Sequence, residues 1–350
     1  MKYNYKWTLK DAVFTKDKGK VFSCFACGGG STMGYKLAGF DVLGCNEIDP
    51  KMMDAYITNH KPKYSYLEPI QTFKLRDDLP KELYELDILD GSPPCSSFSM
   101  AGNREKDWGK EKKFREGQAH QVLDDLFFDF IDLAKKLQPK VVVAENVKGL
   151  LLGEAKSYVR RIYKEFDEAG YIVQHWLLNA SKMGVPQRRE RVFFIAMRKD
   201  LCEPFLYQKD MFTVVPNLQL EFNETEIIYE EIEDKNAQSI YLSPAISKYW
   251  RIAKEGQGFD KVHPKGHMFN YQKANRKKVL PTITAHRDGG TYHPYVERPL
   301  TDSENCLAGS FPLDYNFIGL KSKYLVGMSV PPLMTARIAD EIYNQWIQKL

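Results

Sequence analysis

The sequence predicts an α/β protein: a doubly wound, mostly parallel sheet, with a second, smaller and irregular domain. Three observations carry this. Residues 21–25 read as a strand that runs through the turn Phe25-Ala26-Cys27-Gly28-Gly29-Gly30 into a helix reaching residue 37. Strand, glycine-rich turn and helix make a unit whose backbone can come close to a nucleotide-like ligand. Residues 40–49 read as a second strand that ends in acids. Glu47 there lies about 20 residues past the glycines, the separation at which an acid meets the ribose hydroxyls of a nucleoside; a solvated acid at a strand end is the plainer alternative. Third, an amphipathic helix over 122–137, stopped by Gln138-Pro139, leads into the buried strand 141–144. Glu145-Asn146 then stand at that strand's carboxyl end, where doubly wound sheets bind ligands.

The remaining elements follow in order. Residues 1–18 are polar, aromatic and charged without a period, and are expected to pack on an edge or stay loose. Residues 86–91 form a short apolar strand ended by Gly91-Ser92, and Pro93-Pro94 sets φ twice, so the backbone leaves along a stiff path. That places Cys95 at a strand mouth in front of a polar stretch, as a reactive thiol requires; a small buried hydrophobe is the alternative. Residues 103–117 carry six basic and four acidic residues, either a solvated loop or a lid over a polyanion. A helix is expected over 157–169, and strands over 171–178 and 192–196. Between those strands lies Gln187-Arg188-Arg189-Glu190-Arg191. Three arginines entering a buried strand are costly unless they bind anions or pair internally.

From residue 198 the alternation fades, and residues 199–297 are irregular. Residues 221–234 hold seven acids and should face away from any nucleic acid, whereas the basic run 273–287, with Lys277 and Arg287, is the better contact surface. Order returns over 298–317, and a last helix spans 333–350.

Composition sets bounds. The chain has 350 residues, 43% of them apolar, and no apolar run approaches the length of a membrane span. Its first residues lack the apolar core of a secretory signal. Six cysteines in such a length do not make a disulfide framework, so a reducing cytoplasm is expected. The Cys24–Cys27 C-x-x-C has no second pair, which argues against zinc, and no metal is expected. A net charge of +4 permits a nucleic-acid partner without demanding one.

These separated motifs together resemble the DNA (cytosine-5)-methyltransferase family, over about residues 20–200 and 280–350. Phe25-Ala26-Cys27-Gly28-Gly29 resembles its F-x-G-x-G motif, with Cys27 replacing the first glycine. Pro94-Cys95 matches its nucleophile motif, with Ser96 where many members carry glutamine. Glu145-Asn146-Val147 matches E-N-V, and Gln187-Arg188-Arg189-Glu190-Arg191 matches Q-x-R-x-R. Arg298 with Glu304 resembles the ninth motif. Gly327-Met328-Ser329-Val330 resembles the tenth, with Met328 replacing the usual asparagine. Pro69 falls where the family places an acid before Ile70, and Glu68 stands beside it.

The resemblance implies a Rossmann-like, S-adenosylmethionine-dependent fold with a target-recognition domain. It divides the chain into an N-terminal extension (1–18), a catalytic, cofactor-binding domain (19–198 plus 321–350) and a target-recognition domain (199–320). Cys95 would be the nucleophile that adds to C6 of a flipped-out cytosine. Glu145 would hold or deliver a proton at N3, Arg191 would hold the O2 side, and Arg189 would support the nucleotide's phosphate or the loop. S-adenosylmethionine would lie among Phe25, Ala26, Cys27, Gly28, Gly29, Gly30, Glu47, Ile48, Pro69, Ile70, Ser92, Pro94, Leu126, Met328 and Ser329. Duplex DNA would be met by Ser96, Ser97, Arg104, Gln187, Lys277, Arg287 and Arg298. A cytoplasmic, DNA-associated monomer is implied, and the family's usual setting adds a separately acting restriction endonuclease. Three rival classes share parts of this pattern. A tRNA cytosine-5 methyltransferase would carry Cys-Phe-Thr, which the chain lacks. A catalytically weak DNA-binding regulator would have lost Cys95, Glu145 or the arginines. A nicotinamide dehydrogenase would share the glycine turn and predict none of the other motifs.

Overall fold

Parallel strands buried on both faces are built from continuous apolar runs, and the central sheet begins with such runs. The structure, a computed structural model, describes residues 2–94, 125–152, 155–210, 213–268, 270–285 and 289–350. Cys95, Ser96, Ser97, Arg104 and Arg287 lie outside the described residues. The chain divides into two compact units. One, the sheet unit, comprises residues 13–178, 190–221 and 335–350; the other, the small unit, comprises 1–12, 179–189 and 222–334.

In the sheet unit the chain runs β1 (Lys20–Cys24), α1 (Gly30–Ala38), β2 (Asp41–Glu47), α2 (Pro50–His60), β3 (Tyr64–Leu67), α3 (Ile70–Phe73), β4 (Ile88–Gly91), α4 (Leu126–Leu137), β5 (Val141–Val147), α5 (Ala155–Glu168) and β6 (Tyr171–Asn179). After β7 (Gln187–Arg188), which belongs to the small unit, β8 (Glu190–Arg198) returns to the sheet. The spatial order is β3-β2-β1-β4-β5-β8-β6. Strands β3 to β5 are parallel, and β8 is antiparallel to β5. The strand order reverses between β1 and β4, so their carboxyl ends flank the crevice where such sheets take ligands.

Local signals explain the elements. Asp49 caps α2 by accepting from Lys51 N at 2.9 Å, with Pro50 at the first helical position. Gly39 ends α1 at φ 98°. The core joins Phe22, Phe73, Phe130, Val142, Phe166 and Phe194. Gly91 is required where β4 meets α4: an added Cβ would stand 2.5 Å from the Phe130 ring.

The small unit is held by long-range polar contacts. Its N-terminal residues are pinned, with Trp7 Nε1 donating to Ser310 O at 2.9 Å and Leu313 N donating to Trp7 O. Residues 280–281 pair in parallel with β7, and residues 271–273 with 290–292. Among the described residues it holds the helices α6 (Pro244–Ile252), α7 (Asp302–Ala308) and α8 (Ser322–Met328). A last helix, α9 (Pro332–Gln345), follows. Thr301 and Glu304 form a capping box on α7. Among the described residues no helix is long and apolar enough to cross a membrane.

Candidate active site

The turn from β1 to α1 carries three left-handed residues, Phe25 (φ 52°), Cys27 (φ 51°) and Gly29 (φ 84°). Non-glycine residues adopt this region at a cost, so the surroundings must hold them there. Glu47 does much of the holding. Its Oε2 accepts from Cys27 N at 2.7 Å, and its Oε1 accepts from Ile48 N at 2.8 Å and Asp49 N at 2.9 Å. Burial pushes the Glu47 carboxyl above its ordinary value, against the pull of those backbone donors. Gly29 lies against the His60 ring, which an added Cβ would meet at 2.1 Å. Ala26 is buried, and Gly30 begins α1.

Other expected cofactor contacts fall in varied places. Pro69 caps α3 through its carbonyl, which accepts from Phe73 N, and Ile70 is buried. Glu68, beside it, accepts from Arg76 Nη1 at 3.0 Å. Leu126 is buried at the start of α4. Ser92 and Pro94 are half-buried just past β4. In the small unit, Met328 ends α8, and Ser329 Oγ donates to Leu325 O at 2.9 Å.

At the carboxyl end of β5, Glu145 Oε1 lies 2.8 Å from Arg191 Nε. Register brings them together: Val147 pairs with Arg191 across the β5–β8 ladder, so Glu145, two residues back, is the diagonal neighbour on the same face. Burial lowers the affinity of the Arg191 guanidinium for its proton, and the Glu145 carboxylate opposes that. Asn146, next in the strand, donates from Nδ2 to Pro93 O at 3.1 Å. One strand thus carries the carboxylate and ties down the segment that leads to Cys95.

Several expected DNA contacts are placed otherwise. Arg298 is buried on Glu304, with Nη1 to Oε2 at 2.7 Å and Nη2 to Oε1 at 2.9 Å, because a buried guanidinium needs an opposing charge. Gln187 is fully buried; it donates to Ala308 O and accepts from Ile283 N. Arg189, expected to support the nucleotide's phosphate or the loop, is buried too and donates to the carbonyls of Ile283 (3.2 Å) and Gly327 (3.0 Å). Lys277 is exposed, but it pairs with Glu230, and Arg276 pairs with Glu233 at 2.9 Å. The acidic run, expected to face away from any nucleic acid, and the basic run, expected to be the better contact surface, are thus joined at these two cations.

Sequence reasoning missed Asp90. It is buried at the end of β4 and accepts hydroxyl donors from β1 and α1. An acid inside an otherwise apolar strand was the available signal. Among the described residues no cluster of three or more His, Cys, Asp or Glu could hold a metal ion.

The strand order, with a glycine turn after β1 and a buried acid ending β2, defines the α/β methyltransferase fold. A model for C-5 cytosine-specific DNA methylases matches residues 19–344, and the chain belongs to that family. It is similar to the type II methyltransferase M.FnuDI of Fusobacterium nucleatum, 39% identical over 182 residues, which cover 52% of this chain and 48% of the relative. It is also 28% identical over 381 residues to M.DdeI of Desulfomicrobium norvegicum, covering 92% of this chain and 88% of that one. The match thus spans about half of M.FnuDI and most of M.DdeI. Among solved structures, a prophage-encoded DNA modification methyltransferase (E. coli) aligns with TM-score 0.64 at 20% identity, covering 93% of this chain and 99% of that one. A DNMT2 mutant of Spodoptera frugiperda aligns with TM-score 0.61 at 18% identity, covering 91% and 97%.

Proposed function

We propose that this chain transfers a methyl group from S-adenosylmethionine to C5 of a cytosine in duplex DNA, with Cys95 as the nucleophile. The observation that supports this most is the pairing of roles on β5: Glu145 meets Arg191, and Asn146 holds Pro93, two residues before Cys95.

C5 of cytosine is a weak nucleophile. Addition of the Cys95 thiolate to C6 forms a sulfur–carbon bond and pushes an electron pair toward C5, which makes the ring enamine-like. Glu145 holds a proton at N3, and Arg191 stabilises charge at O2. C5 then forms its bond to the methyl carbon as the methyl–sulfonium bond breaks, its electron pair returning to sulfur so that S-adenosylhomocysteine leaves. C5 next loses its proton to water, and the electrons of that C–H bond restore the C5–C6 double bond and expel the thiolate. Because C6 is stacked within a duplex, the base must be flipped out first.

The donor set fits a nucleoside carrying an amino-acid tail. Phe25 to Gly29 form a tight turn with left-handed residues at Phe25, Cys27 and Gly29, Glu47 offers a carboxylate for a diol, and Leu126 is an apolar neighbour. S-adenosylmethionine supplies an electrophilic methyl when bound. Glu47 and Ile48 would hold its ribose, and Ser92 and Pro94 would border its reacting end. Base reading falls to residues within 199–297. The expected DNA contacts Ser96, Ser97, Arg104 and Arg287 belong to the same proposal.

The test supplies labelled S-adenosylmethionine with duplex DNA, and with tRNA as the rival substrate. Label should enter DNA cytosines only, and Cys95→Ala should abolish it. A duplex containing 5-fluorocytosine at the recognised site should give an adduct through Cys95 by mass spectrometry. Transfer to tRNA alone, or full turnover by Cys95→Ala, would overturn the reading.

A further inference from the structure

Asp90 is 4% exposed and lies in β4 beside Ser23 of β1, its register partner. Side chains alternate along the strand. Leu89 and Gly91 face α4, which leaves Asp90 on the face that α1 covers. Its Oδ2 accepts from Ser23 Oγ and Ser31 Oγ, both at 2.7 Å, and its Oδ1 accepts from Tyr35 Oη at 3.2 Å. Ser31 and Tyr35 are one turn apart on the same face of α1. One carboxylate therefore joins the end of β1, the first turns of α1 and the end of β4. Those are the two sides of the crevice, the glycine turn and the segment running to Cys95.

We propose that Asp90 is a positioning residue, whose ionised carboxylate gathers three hydroxyl donors and so sets the glycine turn and the end of β4, which leads toward Cys95, at one spacing. This rests on the methyl-transfer reading and adds to it a residue that touches neither cofactor nor base. An ionised carboxylate can accept all three donors at once; an amide cannot, because its nitrogen only donates. Among the described residues, the groups acting on Asp90 are Ser23 and Cys24 of β1, Ser31 and Tyr35 of α1, and Glu145 of β5.

Burial pushes the Asp90 carboxyl from 3.8 up to about 6, against its three hydroxyl partners. A carboxyl raised above its unfolded value destabilises the fold once pH exceeds the folded value, and that loss is recovered as pH falls from about 6 toward 4. Above pH 6 the ionised form is thus retained against stability, as expected of a group kept for function.

The experiment compares the full chain with Asp90→Asn, Ser31→Ala and Tyr35→Phe. S-adenosylhomocysteine affinity is measured by calorimetry from pH 5 to 8.5, alongside thermal melts and the kcat and KM of methyl transfer. At pH 8, Asp90→Asn should melt no lower than the parent, yet bind S-adenosylhomocysteine at least tenfold more weakly and lose kcat. The serine and tyrosine variants should lose affinity about twofold to fivefold. The parent's affinity should fall as pH drops through about 6, and Asp90→Asn should lack that step. Parent-like affinity in Asp90→Asn, or a melt and an affinity that fall together, overturns the proposal. A parent that neither binds S-adenosylhomocysteine nor transfers methyl overturns the underlying reading instead.

Discussion

Two arginine–glutamate pairs, one in each unit, have opposite designs. Arg298 and Glu304 meet through two parallel contacts, and Glu304 also accepts from Tyr229 Oη, Asp234 N and Thr301 N. Burial alone would push Glu304 up; Arg298, Thr301, Tyr229 and Asp234 together hold it below its ordinary value. Arg191 and Glu145 meet through a single described contact at a strand end. There burial outweighs the partner and pushes the arginine down. The first pair is saturated, which suits a fixed scaffold. The second is joined by one contact, with Arg191 Nη1 also donating to Glu190 O at 2.8 Å, which suits a group proposed to engage a reacting base.

Substitutions can separate the two designs. Glu145→Gln should lower kcat by about 10²- to 10⁴-fold, the range for loss of a positioned proton donor, with cofactor affinity held. Its amide oxygen can still accept from Arg191, so stability should fall by only about 1 kcal/mol. A collapse of cofactor affinity in that variant would erase the contrast. Arg298→Ala should cost about 3–5 kcal/mol in urea unfolding, because it strands Glu304 in the interior. The acid limb sharpens this. A carboxyl held below its unfolded value contributes stability above that value and loses it as pH falls through the folded one. Parent unfolding should therefore become easier below about pH 4, and Arg298→Ala should have lost that dependence. Gly29→Ala combines both effects. Its φ of 84° and the His60 ring should cost about 2 kcal/mol and weaken cofactor binding with it. Lys277→Ala should change stability least, since exposed pairs contribute little.

The sheet unit was largely legible in the sequence because its information is local. The apolar runs of β1 and β5 marked buried strands, the glycines of the β1 turn marked the close approach, and Glu47 came at the expected distance. Helix and strand boundaries shifted by a few residues: the helix expected over 157–169 is α5, Ala155–Glu168. The small unit was not legible because its bonds join residues far apart. Tyr229 reaches Glu304 across 75 positions, and Gln187 reaches Ala308 across 121. Read singly, Arg298 and Gln187 were polar residues in basic or loop-like stretches, with nothing nearby to say that they were already partnered. Asp90 escaped for the converse reason. Its partners Ser23 and Ser31 are small and common; the β1–β4 register brings Ser23 to it, and the packing of α1 on the sheet brings Ser31.

The pairing of Arg276 and Lys277 with Glu233 and Glu230 bears on how the chain meets any polyelectrolyte. Long-range attraction to such a polymer is powered by condensed counterions, which are set free when unmatched cations arrive. These two cations arrive already matched, so each new contact forms only by breaking an internal one. These two cations therefore add little sequence-blind stickiness, and groups that discriminate between bases compete with a background of indiscriminate attachment weaker by that much.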